Sequence, residues 1–320
     1  MRAAIVLAGL VAIVAPGDPT LATQTDPVAW AYPEAPSPAP AGGWDSKKPI
    51  AFYPGGSTYT DAQLRDRFHA VDWRPRSHPP MPPVVASGRA PSVNACGFCH
   101  LPAGEGRPEN AALAGLPRDY IISQVHQFAT GSRTSVVRGW APSGLMSDLA
   151  KSTTPAEAAA AADYFSRLTF VSRVRVVEAA TVRKPVAMNY LLVPDQKAAA
   201  QPLGARIVET PASMQRFERR DPLLTYVAYV PVGSLKRGAA LAGGANGVQP
   251  CAGCHGGGLK GGGLGPPLAG RSPSYLFRQL DSFRAGARAG PDAAPMQAVT
   301  ARMGTADMIA LAAYAASRRP

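Results

Sequence analysis

One five-residue pattern occurs twice in this chain, and that repeat limits the available folds more than any other feature. Residues 96–100 read CGFCH and residues 251–255 read CAGCH, so Cys96, Cys99 and His100 recur as Cys251, Cys254 and His255. These are all four of the chain's cysteines. The offset of 155 residues holds beyond the pattern. Gly115 falls on Gly270, Tyr120 on Tyr275, Gln124 on Gln279, Phe128 on Phe283, Gly131 on Gly286 and Arg133 on Arg288. A register kept without a gap from Cys96 to Arg133 marks a duplicated domain, because solenoid units repeat every 20–50 residues or so.

Several chemistries use a C-x-x-C pair. A zinc ribbon sets its two knuckles roughly 15–20 residues apart, whereas 151 residues lie between Cys99 and Cys251. A thioredoxin-type pair needs a βαβ setting, and a histidine directly after the second cysteine is the signature of c-type haem attachment. Two disulfides are an alternative for an exported protein, but they explain neither the adjoining histidines nor the repeat. The pattern therefore predicts two covalently bound haem c groups. Gly256–Gly258 and Gly261–Gly263 follow the second copy. They suit a backbone that must turn sharply close to a flat ring. A phosphate loop would need G-x-x-x-x-G-K-[ST], and Lys260 is followed by Gly261.

A haem iron bound by one histidine takes a second axial ligand, and that ligand decides between electron transfer and reactivity. Past residue 145 the repeat resumes at an offset of 150: Ala156 falls on Ala306, Glu157 on Asp307, Tyr164 on Tyr314 and Met146 on Met296. Methionines that survive this change of register are the candidate sixth ligands, each expected in a loop ahead of a final helix. Met303 competes in the second copy, but its counterpart is Thr153.

Helices are expected at Arg118–Ala129 and Ser274–Ala285. Tyr120, Gln124 and Phe128 share one face of the first, and core packing is the simplest account of that face. Terminal helices are expected over Pro155–Leu168, opened by the capping box Thr154–Glu157, and over Thr305–Ser317. Thr60–Gln63 is a further capping box, predicting a helix to about Ala70. Residues 74–84 hold five prolines and are expected to be extended.

Both halves resemble class I cytochrome c domains, and the whole resembles a tandem dihaem cytochrome c of the bacterial periplasm. CGFCH with Met146, CAGCH with Met296, the loop GPPLAG and the terminal helices carry the resemblance, over about residues 85–169 and 235–320. It implies thioether bonds from Cys96, Cys99, Cys251 and Cys254. It implies iron ligation by His100 and His255, with Met146 and Met296 as second ligands. Pro266 matches a family proline near the backbone that hydrogen-bonds the proximal imidazole, and Ala111 stands there in the first half.

The expected fold is mainly α, two tandem class I cytochrome c domains with a small β-rich insertion between them. The divisions are a signal peptide at 1–22, a Pro/Ala-rich arm or linker at 23–50, domain one at 51–169, the insertion at 170–234 and domain two at 235–320. The apolar run Ala3–Ala15 is too short to span a bilayer, which takes about 20 residues, and Thr20-Leu21-Ala22 offers small residues for cleavage. Export to the periplasm follows. Strands are expected at Val171–Val177, Arg206–Glu209 and Thr225–Val230. The net charge of +12 is dispersed and accompanied by no nucleic-acid motif, so it suits either a solvated basic surface or a docking face for an acidic redox partner. The expected function is electron transfer without catalysis, either as a free carrier or as the cytochrome subunit of a dehydrogenase complex. A dihaem peroxidase would need an open iron site, and a haem sensor would need an output domain.

Overall fold

The computed structural model describes residues 28–36 and 47–320. The signal peptide expected at 1–22 lies outside them. The architecture is mainly helical, and the helices fall into two similar groups. The first comprises α1 (Asp61–Arg65), α2 (Pro83–Ala86), α3 (Cys96–His100), α4 (Arg118–Thr130), α5 (Ala141–Ser152) and α6 (Pro155–Ser166). After α7 (Met214–Glu218), the second comprises α8 (Ser234–Ala242), α9 (Ala252–His255), α10 (Pro273–Arg284), α11 (Ala294–Thr300) and α12 (Thr305–Ser317).

Local sequence explains the differences between the groups. At the 155-residue offset α8 falls on residues 79–87, where prolines at 79, 80, 82 and 83 leave only the four-residue α2. Residues 74–84 were expected to be extended. Pro83 instead occupies the first helical position, where a missing N–H costs nothing. In the second group α8 is a full helix lying close against α12. A Cβ at Gly238 would sit 2.1 Å from the Ala310 carbonyl oxygen, so glycine sets the depth of that crossing. The buried face of α12 runs from Met308 to Ala316 and anchors the second core with Leu241, Leu276 and Phe277. In the first group Val85, Ile121, Ala162 and Phe165 form the equivalent core.

Both capping boxes form, at Thr60–Gln63 and Thr154–Glu157. The helix after Thr60 ends at Arg65, short of the Ala70 that was expected. The Asp66 carboxylate accepts from Phe68 N at 2.9 Å and faces His69 Nδ1 at 2.6 Å, a local turn that competes with helix continuation.

Between the groups lie β3 (Val174–Glu178), β4 (Thr181–Arg183), β5 (Pro185–Met188), β6 (Leu191–Pro194), β7 (Ala200–Pro202), β8 (Val208–Pro211) and β9 (Tyr226–Val230). They follow the short ladder β1 (Ile50–Ala51) with β2 (Thr58–Tyr59). β9 is central, parallel to β3 and antiparallel to β8. β5 and β6 form a hairpin turned by Asn189 and Tyr190, with Asn189 at φ 55°. This region contacts the second half. Glu209 of β8 accepts from Ser272 Oγ at 2.7 Å and Ser274 N at 3.1 Å at the start of α10.

Residues 28–36 wrap the molecule. Trp30 stacks on Phe277 with ring centroids 4.6 Å apart, Tyr32 meets Trp140 edge-on, and the Tyr32 hydroxyl donates to Asp281 at 3.1 Å.

Candidate functional site

Each C-x-x-C-H pattern forms one short helix, α3 or α9, followed by a residue in an unusual conformation. Gly256 has φ 77° and ψ 166°, and its counterpart Leu101 has φ 64° and ψ 154°. A side chain is strained there, by roughly 1–3 kcal/mol. The first repeat holds the same turn with leucine, which is 3% exposed.

The turn sends each loop back beneath its histidine. The His100 Nδ1 lies 2.8 Å from the Ala111 carbonyl and the His255 Nδ1 lies 2.8 Å from the Pro266 carbonyl, at the same repeat position. A carbonyl oxygen only accepts, so Nδ1 donates and the lone pair of Nε2 is left to bind a metal. Burial pushes both imidazoles below the ordinary histidine range, and the Ala111 and Pro266 bonds only partly oppose it. Both are therefore neutral at neutral pH, the form that ligates. Alanine at position 111 keeps the bond because the backbone makes it. Gly265 bears directly on the second imidazole, since a Cβ there would lie 2.7 Å from His255 Nδ1 and Cε1.

In the first repeat a cavity of about 340 Å³ is lined by Cys96, Cys99, His100 and Met146 together. Leu113, Leu116, Ile121, Phe128 and Phe165 supply apolar wall. Two thiols, a neutral imidazole and a thioether share the cavity with that apolar wall and with charged side chains such as Arg67, Arg107 and Arg220, and make a donor set that fits a covalently held haem. Burial pushes the Cys96 thiol up to about 12, the opposite of the lowered value that a redox-active thiol needs. All four cysteines are unpaired.

In the second repeat His255 is 6% exposed, and Cys251 and Cys254 are half-buried. Met296 is half-buried on α11. Met303 is 4% exposed and belongs to the core cluster around α12. The two candidate methionines were expected in loops. Both lie on helices, α5 and α11, because a proline in the first turn of each starts a helix just before them.

Sequence reasoning missed a polar network between the repeats. Arg133 donates to Gln124 Oε1 at 2.6 Å, Tyr275 Oη at 3.0 Å and Gln279 Oε1 at 2.8 Å. Arg288 donates to Gln279 Oε1 at 3.2 Å, Tyr120 Oη at 3.3 Å and Gln124 Oε1 at 2.7 Å. The signal was present as one tyrosine, one glutamine and one arginine repeated at a single offset. That face packs against its own duplicate.

With this geometry in view, the comparisons can be stated. Residues 235–318 match the family model for cytochrome c. The match covers the second repeat. A curated relative, the thiosulfate dehydrogenase electron acceptor of Thiomonas intermedia (strain K12), is 27% identical over 239 residues, which is 74% of this chain and 84% of the relative. Among solved structures, the as-isolated thiosulfate dehydrogenase TsdBA of Marichromatium purpuratum is 27% identical over 72% of this chain, with a TM-score of 0.48. This chain spans 38% of its length. Reduced recombinant cytochrome c4 from Pseudomonas stutzeri is 22% identical over 70% of this chain and 93% of its own, with a TM-score of 0.44. The matched span contains Cys251, Cys254, His255, Met296 and Met303, and the first repeat carries the same motif outside it. No described helix is long and apolar enough to cross a membrane.

Proposed function

We propose that the chain is a periplasmic electron-transfer protein carrying two covalent haem c groups, and that it accepts electrons from a dehydrogenase without catalysing a reaction itself. In this reading residues 51–169 and 235–320 are the two haem domains, the β-rich segment 170–234 is inserted between them, and 1–22 is a cleaved signal peptide. Cys96 and Cys99 hold one haem and Cys251 and Cys254 the other, with His100 and Met146, and His255 and Met296, as axial ligands. Bound there, the haems supply one-electron redox chemistry. The chain's own residues orient the ligands, exclude water and keep both histidines neutral.

The observation that carries the reading is the matched pair of Nδ1–carbonyl bonds at 2.8 Å, His100 to Ala111 and His255 to Pro266. Two imidazoles locked in one tautomer, each one residue beyond a C-x-x-C, form a ligand pair rather than two core histidines. The dehydrogenase partner is suggested by the Thiomonas relative, whose name makes it an electron acceptor of thiosulfate dehydrogenase.

Intact-mass measurement of protein matured in a periplasm tests the cofactors. Two haem additions are expected, both surviving acid-acetone extraction, with residues 1–22 absent. Replacing Cys96 and Cys99 with alanine should remove one addition. A single addition in the wild type, or bound zinc, overturns the reading. Reduction of the purified protein by a thiosulfate-oxidising dehydrogenase and thiosulfate, followed by its absorption bands, tests the donor.

A further inference from the structure

We propose that the protein meets an acidic redox protein through the exposed loop 252–264 of its second repeat, and that the first repeat is closed to partners. The inference rests on the reading of both motifs as haem sites and gives the two sites unequal roles.

The two loops are equivalent in sequence position and opposite in exposure. Gly97 and Phe98 are buried, while their counterparts Ala252 and Gly253 are exposed. Pro102, Arg107, Pro108 and Glu109 are buried, while Gly257, Gly262, Gly263 and Leu264 are exposed. Leu264 replaces a glutamate that is 6% exposed and is itself 96% exposed, a large apolar side chain held in solvent.

The inserted segment supplies the cover over the first loop. The Arg220 guanidinium lies over the Phe98 ring at 3.6 Å, and Phe217 of α7, which is fully buried, receives Arg107 over its ring at 3.8 Å. The tip of the β5–β6 hairpin, Asn189 and Tyr190, lines the first cavity with Arg220. A partner approaching the first motif would have to displace all of these. A partner approaching the second would touch Leu264, and the next residue, Gly265, is the one where an added Cβ would meet the His255 ring. The glycines at 257, 258, 261, 262 and 263 add no side chains that would hold a partner away.

Charge selects the class of partner. From Pro222 to Leu280 the chain has no Asp or Glu. Lys260 in the exposed loop donates to Pro320 O at 3.3 Å, and Arg318 and Arg319, the two residues before Pro320, are exposed. An exposed apolar tip on an acid-free stretch of chain that carries Lys260 fits a carboxylate-rich protein surface. It disfavours a second copy of this basic chain, which would set like charges together.

The test uses the full-length matured protein, isotopically labelled, with poly-L-glutamate as the acidic polypeptide probe. Titration should shift the backbone amides of residues 252–264 and 318–319 and leave residues 97–109 unmoved. Lys260→Glu with Arg319→Glu should weaken binding by about tenfold or more, with Leu264→Glu as an independent second variant. Shifts centred on 97–109, or spread evenly over the surface, overturn the proposal. So does self-association through the loop. So does a response of the loop to phosphatidylglycerol vesicles with none to poly-L-glutamate. Haem count by intact mass is read on the same sample, so loss of the haem reading is distinguished from loss of the docking assignment.

Discussion

Arg133 and Arg288 share the same two glutamines. Each arginine bonds the glutamine of its own repeat and that of the other, so four amide–guanidinium contacts close a ring about an approximate two-fold axis. Backbone bonds obey the same symmetry: Thr134 N donates to Ala287 O and Ala289 N donates to Ser132 O, each at 2.7 Å. Both guanidiniums are buried, and burial with the neighbouring Arg133 charge holds Arg288 below the ordinary arginine range. Two like charges remain side by side because neutral acceptors surround them, and each guanidinium lies over a phenylalanine ring, Arg133 over Phe128 and Arg288 over Phe283.

Removing one acceptor should therefore cost more than an ordinary hydrogen bond. Gln124→Leu leaves both arginines short of a partner, and a destabilisation of about 2–3 kcal/mol is expected from bonds to charged groups. Gln279→Leu should behave alike, and the double variant should fall well short of the sum. Denaturant unfolding of the four proteins measures the cycle. Additive losses would show that the ring does not act as a unit.

The methionines separate ligand from core. Met146→Ala should open the first site to carbon monoxide and lower its reduction potential, since thioether ligation favours the ferrous state. Met296→Ala should do the same at the second. Met303→Ala should leave both absorption spectra intact and destabilise the fold by about 2–5 kcal/mol, the range for a buried methionine truncated to alanine. Spectra, carbon monoxide binding and thermal melts of the three variants decide the assignment. Peroxide turnover at enzymic rates by the wild type would instead require an open iron site.

Gly265→Ala should damage the second site alone. The added methyl would lie 2.7 Å from the His255 ring, and its neighbours there are the imidazole atoms Cγ, Nδ1 and Cε1. The ring must tilt or the loop must move, and either loosens the Pro266 bond. The expected result is a weakened low-spin signature at one haem, with the first unchanged. The control is Gly253→Ala, where a Cβ meets nothing within 4 Å.

Glu105 gives a pH dependence. Burial is the largest influence on its carboxyl and pushes it up to about 6, and its Oε2 has no hydrogen-bond partner. A carboxyl raised on folding binds its proton more tightly in the folded state. Its contribution to stability is most favourable below the ordinary glutamate range, falls as pH rises from about 4.5 to 6 and is level above that. Glu105→Gln should remove the fall and stabilise the protein at neutral pH by about 2 kcal/mol, at 1.36 kcal/mol per unit. Melting temperatures of both proteins between pH 4 and 8 check it.

The readable part of this protein was the part written locally or written twice. C-x-x-C-H places two cysteines and a histidine on one helical turn whatever surrounds them, so Cys96–His100 and Cys251–His255 were legible from spacing. The capping boxes were legible because an N-cap hydroxyl and the residue three positions on contact within one turn. Helices α4, α10 and α12 were found to within a residue or two because their apolar faces recur in both copies. The helix after Thr60 was overestimated, because the Asp66 side-chain turn lies outside the pattern that predicted it.

What only the tertiary structure decided is how the two copies differ. Tyr120, Gln124 and Arg133 read as an ordinary helical face, and it took the packed pair to show that this face meets its own repeat. Three of the inserted strands, β3, β8 and β9, could be read as strands, while β4 to β7 were missed because they are only three or four residues long. That Phe217 and Arg220 from this segment would cover Phe98, while Gly253 stays in solvent, follows from contacts made across more than a hundred residues of chain. Short-range periodicity carries no record of such contacts. Sequence thus determined two equal sites, and long-range packing buried the loop of one and left the loop of the other exposed.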